Sequence, residues 1–336
     1  MSHTTHPPDL PPADDRVRAS GRTPVQVYLV LATLIALVLS QEWLVPRLDY
    51  PALATWSTIF VAIVVQSIPF LVGGVLLAAV ISTLLSERAL RRLVPSNPAI
   101  GVPVAGLAGV ALPGCECASV PVASSLMTRG VAPSVALTFL LAAPAVNPVV
   151  LVSTAVAFSG RPDMVLARFL ASLATSVVVG WLWLRFAGRV PILHRQRSHD
   201  HEGGTLMAFA ASVRHDFVHA AGFLVLGAMI AAAINTFVPR EIIDSVAGNA
   251  VLAVLTLAVF AFVVALCSEA DAFVAASLSA FSDTAKLVFM VVGPAMDVKL
   301  ASMEAGQFGG AFALRFIPLV LVVAVLSACS VGWWLL

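Results

Sequence analysis

A chain of 336 residues that is 60% hydrophobic and 11% charged, with a mean hydropathy of +0.97, cannot be a water-soluble domain, in which about a quarter of residues are charged. A formal net charge of +1 with only two lysines, Lys286 and Lys299, excludes a phosphate-binding surface and with it nucleic acid as a partner. Four cysteines, Cys115, Cys117, Cys267 and Cys329, are too few and too deep in apolar sequence for a secreted disulfide framework.

A bilayer-crossing helix needs about 20 apolar residues, and at least seven such runs stand between Val25 and Leu336. The class is therefore an all-α polytopic membrane protein. Residues 1–24 are polar, Pro-rich and too acidic for a signal-peptide n-region, and read as a disordered tail. A first span is expected over 25–45 and a second apolar run from about Trp56 to Leu85. The second closes on Arg88, Arg91 and Arg92, which mark a cytoplasmic loop. From Ile100 onwards Pro113, Gly114 and Pro121 interrupt the apolar sequence and are read as helix breaks. The next run, about Ala132 to Phe158, is broken at Pro144 to Pro148, and another follows from about Val165 to Phe186. Residues 187–209 form a polar cytoplasmic linker. Its His194, His199 and His201 fit a solvated loop better than a metal site, and no metal or other cofactor is expected.

The pattern then starts again. Phe70–Thr83 (FLVGGVLLAAVIST) and Phe223–Thr236 (FLVLGAMIAAAINT) agree at eight of fourteen positions. CECASVPVASSL from Cys115 matches CSEADAFVAASL from Cys267, so Cys115 faces Cys267, Cys117 faces Glu269 and Ser119 faces Asp271. PAVN at Pro144 matches PAMD at Pro294, and Arg168-Phe169 matches Arg315-Phe316. The expected organisation is one extra N-terminal span, 25–45, and two homologous repeats, 55–186 and 210–336. Repeats with broken helices are a common transporter plan, with the site where the interruptions meet. If each interrupted stretch dips in and returns on the same side, nearly all arginine-rich loops fall on one face. That count predicts inverted repeats with two re-entrant hairpins.

The breaks gather the residues able to carry chemistry. Cys115, Glu116, Cys117 and Ser119 lie among Pro113, Gly114 and Pro121. Cys267, Ser268, Glu269 and Asp271 interrupt the apolar stretch of the second half, and Asn147 and Asp297 occupy the third pair of breaks, with Lys299 close by. Opened backbone at membrane depth is tolerated only inside protein or along a wet cavity. An ionisable residue there costs at least about 2.5–3.5 kcal/mol on insertion scales and marks a functional site. Cys115, Glu116, Cys117, Ser119, Asn147, Cys267 and Ser268 are expected to bind substrate, and Glu269, Asp271, Asp297 and Lys299 to couple an ion. The plainer readings are a helix kink, a hairpin tip reaching headgroups, and a charge pair that only holds half-helices together. For Arg168 and Arg315 the structural reading leads, because an Arg near a span end snorkels or pairs.

The segments GCECASVPVASSL, GVAPSVALTFLLAAPAVNPVV, CSEADAFVAASL and PAMDVKL followed by ALRFIPL, together with the repeated FLV segments, cover most of 66–320. There the sequence resembles the predicted-permease family that includes the ArsP-type exporters of trivalent organoarsenicals. The resemblance implies a multi-span permease of the prokaryotic cytoplasmic membrane that acts on a small-molecule substrate and is not an enzyme. Thiolates suit soft, thiophilic centres, and Cys115, Cys117 and Cys267 lie at the breaks. One rival reading is an intramembrane thiol redox enzyme, against which stands the Cys-x-Cys spacing where dithiol oxidoreductases use Cys-x-x-Cys. Another is a non-transporting subunit of a membrane complex.

Overall fold

The computed structural model describes residues 51–83, 95, 97–111, 116–186, 205–237 and 249–336. The expected tail, the extra span over 25–45, most of the linker, and Pro113, Gly114 and Cys115 lie outside the described residues.

Helices start where local chemistry starts them. Beyond α1 (Pro51–Thr83), four begin on a proline: α2 (Pro98–Ala108), α4 (Pro133–Ala142), α5 (Pro148–Ala157) and α6 (Pro162–Phe186). Proline lacks an N–H that the first turn leaves unpaired anyway, and its fixed φ suits a helix start. Between α2 and α4 runs α3 (Glu116–Thr128). The rest of the chain gives α7 (Thr205–Phe237), α8 (Ala250–Val264), α9 (Asp271–Ser277), α10 (Asp283–Ala295), α11 (Val298–Phe308) and α12 (Gly310–Leu335). Side-chain caps fix five starts, with Asn97, Asn147, Asn249, Ser282 and Asp297 each accepting from a first-turn backbone N–H.

Among the described residues, four helices are long and apolar enough to cross a membrane, within α1, α6, α7 and α12. The other apolar sequence among the described residues is divided into shorter helices, so local breaks cut runs there to half a bilayer, and the expected run over 25–45 lies outside the described residues. The expected break at Pro144 to Pro148 lies between α4 and α5. Pro121 is a correction, since α3 continues through it and buries it. A single missing N–H is tolerated where neighbouring protein re-satisfies the backbone. Pro294 is a second correction, because it sits inside the last turn of α10 and the chain opens after it, at Met296 and Asp297.

Close approaches fix the helix directions. Gly101 lies against Val135, and Gly109 against Ala142 and Ala143, so α2 runs parallel to α4. The tight turn at Gly130, with φ +86°, folds α3 and α4 back on each other, so α2 and α3 run in opposite directions. Gly160 (φ +81°) and Gly309 (φ +95°) make the corresponding turns before α6 and α12. Near the end of α6, Trp183 meets Phe312 and Phe316 at the start of α12. At the opposite end Arg161, just before α6, pairs with Asp283 of α10 at 3.0 Å, and Gly332 of α12 lies against Thr284. Helices α6 and α12 are thus antiparallel neighbours. The short helices cross over as well, α3 onto α11 and α9 onto α5, and this brings the breaks together.

Candidate functional site

Glu116 opens α3 and is completely buried. Its Oε1 accepts a hydrogen bond of 2.6 Å from Lys299 Nζ, on the first turn of α11 and equally buried. Lys299 also stands 3.7 Å from Asp297 Oδ2, while Asp297 Oδ1 accepts from the backbone N–H of Leu300 at 2.6 Å. The two carboxylates therefore sit at helix N-termini, where the helix dipole favours negative charge, and share one ammonium group.

The second buried pair joins Arg168 of α6 to Asp271, the first residue of α9. Arg168 Nη2 donates to Asp271 Oδ2 at 2.7 Å and to the Ser268 carbonyl at 3.1 Å, and Nη1 donates to Thr154 Oγ1 of α5 at 2.8 Å. Arg168 has no exposed surface and Asp271 almost none. The open turn before α9 supplies the carbonyl, because Ser268 lies outside any helix. Just upstream, Ala265 ends α8 in the left-handed region at φ 52°, a conformation that disfavours side chains other than glycine.

The two pairs belong to one constellation. Lys299 interacts electrostatically with Glu116, Cys117, Asp297 and Cys267. Cys267 interacts with Glu116, Cys117 and Glu269, and Asp271 with both Arg168 and Glu116. Cys117 is fully buried, Cys267 nearly so, and both are free thiols. Among the described residues the fully or almost fully buried charged groups are Glu116, Asp271, Asp297 and Glu304 against Arg168 and Lys299. Among these described groups, four carboxyls stand against two cations.

The other expected residues take different roles. Ser119 donates to the Glu116 carbonyl at 2.8 Å within α3. Asn147 is a buried cap, accepting from Val150 N–H at 3.0 Å and donating to the Ala143 carbonyl at 3.1 Å. The Ser268 hydroxyl is buried without a hydrogen-bond partner, and Glu269 is half-buried on the same turn. Pro144 and Pro148 frame the Asn147 break. Sequence reasoning missed three participants: Thr154, the site role of Arg168, and Glu304. For Glu304 the spacing carried part of the signal, since seven residues beyond Asp297 brings a helix back to nearly the same face, but burial of that face is a tertiary matter. Chemically, the centre combines soft thiols, hydrogen-bonded charges and half-helix ends at which backbone groups are open. Among the described residues no three His, Cys, Asp or Glu side chains are grouped to hold a metal ion.

A family model, ArsP_1, described as a predicted permease, matches residues 52–332. Over 282 residues the chain is 33% identical to the UPF0718 protein YcgR of Bacillus subtilis, covering 82% of this chain and 96% of that one. Over 284 residues it is 28% identical to a Streptococcus mutans protein named "Putative two-component membrane permease complex subunit", covering 82% and 94%. No solved structure matches.

Proposed function

Because this chain belongs to the ArsP_1 family of predicted permeases, and is an integral membrane protein by its family and its apolar helices, we propose that it exports a small, soft, thiophilic solute from the cytoplasm by ion-coupled alternating access. Trivalent organoarsenicals are the first class to test. The bacterial relatives support a place in the plasma membrane. The observation that carries the reading is the convergence of Glu116, Asp271, Asp297 and Lys299, all buried and at the starts of short helices, with the buried Arg168 of α6. Charges kept at membrane depth mark solute and ion pathways. Cys117 and Cys267 in the same neighbourhood, with Cys115 beside Glu116 in sequence, supply ligands for a soft centre. Glu269, Asp271, Asp297 and Lys299 carry the coupling ion's charge.

The helix directions favour two inverted repeats. In each half a long helix is followed by two interrupted helix pairs and a second long helix. With α2 and α3 entering and leaving on one side, α1, the α4–α5 pair and α6 make three crossings, so α7 starts opposite to α1. The Arg161–Asp283 bridge and the Trp183–Phe312 contact are both satisfied by that count.

The test is uptake of methylarsenite and other soft solutes into everted vesicles holding the full chain, with and without a proton gradient. Gradient-dependent accumulation is expected. Undiminished arsenical transport in a Cys115→Ser, Cys117→Ser, Cys267→Ser variant at equal expression removes thiol coordination and leaves the permease reading. A second reading follows the name of the Streptococcus mutans relative: the chain supplies the pathway as one subunit of a two-component complex. Co-purification from its native membrane with a partner required for uptake favours that reading.

A further inference from the structure

Helix α11 carries a buried acid that the paired charges above do not use. Glu304 has no exposed surface, and neither of its carboxylate oxygens has a hydrogen-bond partner. Seven helical residues separate it from Asp297, which places the two about 20° apart around the axis and roughly 10 Å apart along it. Asp297 Oδ2, at the near end of this face, also lacks a hydrogen bond.

Among the described residues no cation pairs with Glu304. The elements packed on α11 are α3, α7, α8 and α12. Their described ionisable groups are Glu116 and Cys117 on α3, Arg214, His215, Asp216 and His219 on α7, and Arg315 and Cys329 on α12, with none on α8. Gln307 and Lys299 of α11 itself turn toward α3, binding Ser124 and Glu116, and Ser302 turns toward α7 by donating to the Phe223 carbonyl. Among the described residues, Asp297, itself acidic, acts electrostatically on Glu304. An isolated carboxylate in a dry interior is prohibitively expensive and is neutralised instead.

Only a small cation can do that here. Two carboxyls about 10 Å apart along one helix cannot share a metal ion, whose oxygen ligands lie at about 2–2.6 Å. A proton needs no coordination shell, and it meets part of the imbalance between four buried carboxyls and two buried cations. We propose that Glu304 is a proton-binding site on the face of α11 that leads to Asp297, and that solute movement is coupled to its gain and loss of a proton. This deepens the ion-coupled reading above and rests on it for the second clause only. When the proton leaves Glu304 as H⁺ no other bond changes, and water reaching the α11 face from one side or the other is its acceptor.

The experiment uses the full chain reconstituted in liposomes of neutral lipid. Infrared difference spectra between acid and alkaline pH are expected to show loss of a protonated-carboxyl C=O band, absent from Glu304→Gln and restored, shifted, in Glu304→Asp. A band of equal amplitude in Glu304→Gln overturns the proposal, whether or not any solute is moved. In the same liposomes, the ratio of methylarsenite flux with a proton gradient to flux without one is expected to fall to unity in Glu304→Gln and to recover in Glu304→Asp. A ratio unchanged in Glu304→Gln overturns the coupling role. Failure of the permease reading shows instead in the native chain, as absence of methylarsenite flux under any gradient.

Discussion

Lys299 and Glu116, 183 positions apart, meet through a 2.6 Å hydrogen bond with neither side chain exposed. Each stands in the first turn of a short helix, so the bond ties the start of α3 to the start of α11. A buried pair of this kind contributes little net stability over an apolar pair of the same volume, yet removing one partner leaves a bare charge inside.

Lys299→Met and Glu116→Gln are therefore each expected to destabilise the chain, the lysine replacement by roughly 3–5 kcal/mol. The double variant should recover much of that loss. Thermal unfolding in detergent, followed by tryptophan fluorescence, completes the double-mutant cycle, and additive losses would dissolve the pairing.

Arg168 and Arg315 occupy matching places in the two halves of the sequence but not in the fold. Arg168 is buried against Asp271, Ser268 and Thr154, whereas Arg315 is exposed. Arg168→Ala should cost about 3–5 kcal/mol by stranding Asp271, and Arg315→Ala should stay within about 0.5 kcal/mol. Equal melting shifts for the two would contradict the placement.

Asn147 and Asp297 cap α5 and α11 in the same way. Alanine at either position should cost about 1 kcal/mol, within a range of 0.5–2. Asp297→Asn keeps the cap, as Asn147 already does in the first half, and removes only the charge. Stability near native with lost gradient dependence of transport is the expected result. A destabilisation matching that of Asp297→Ala would show that the charge, not the cap, holds α11.

Gly74 and Gly227, matched in the repeated FLV segments, each allow a long helix to touch backbone next to the site. A Cβ on Gly74 would collide with the Ala118 backbone of α3, and one on Gly227 would stand 2.7 Å from Lys299 Cα. Gly74→Ala and Gly227→Ala should each cost about 1–3 kcal/mol through overpacking. Gly222, with open space around it, serves as the control: alanine there should be neutral or slightly stabilising through helix propensity, and a loss as large as at Gly227 would contradict the overpacking account.

Thr128, at the end of α3, and Ser279, in the turn after α9, are exposed and stand one residue out of register in the match of the two segments. Inverted repeats place them on opposite sides of the membrane. A membrane-impermeant maleimide, applied to right-side-out and everted vesicles carrying Thr128→Cys or Ser279→Cys in a cysteine-free background, should label them from opposite faces. Labelling from the same face would make the repeats parallel.

By itself the sequence determined the membrane class, the helical composition and the Asn147 and Asp297 breaks, because hydropathy, proline at helix starts and Asn or Asp caps act within a few residues of one another. Pro121 misled for the same local reason, since proline reads as a break unless surrounding protein lets the helix run through it. Only the tertiary structure decided that Glu116 belongs to Lys299 and Asp271 to Arg168, separated by 183 and 103 positions, and that Arg315 has no share in the centre. It also decided that Glu304, which looks like an ordinary polar residue of MEAGQF, is sealed from solvent. Burial and ion pairing depend on ångström-scale placement of distant helices, and no spacing along the chain records it.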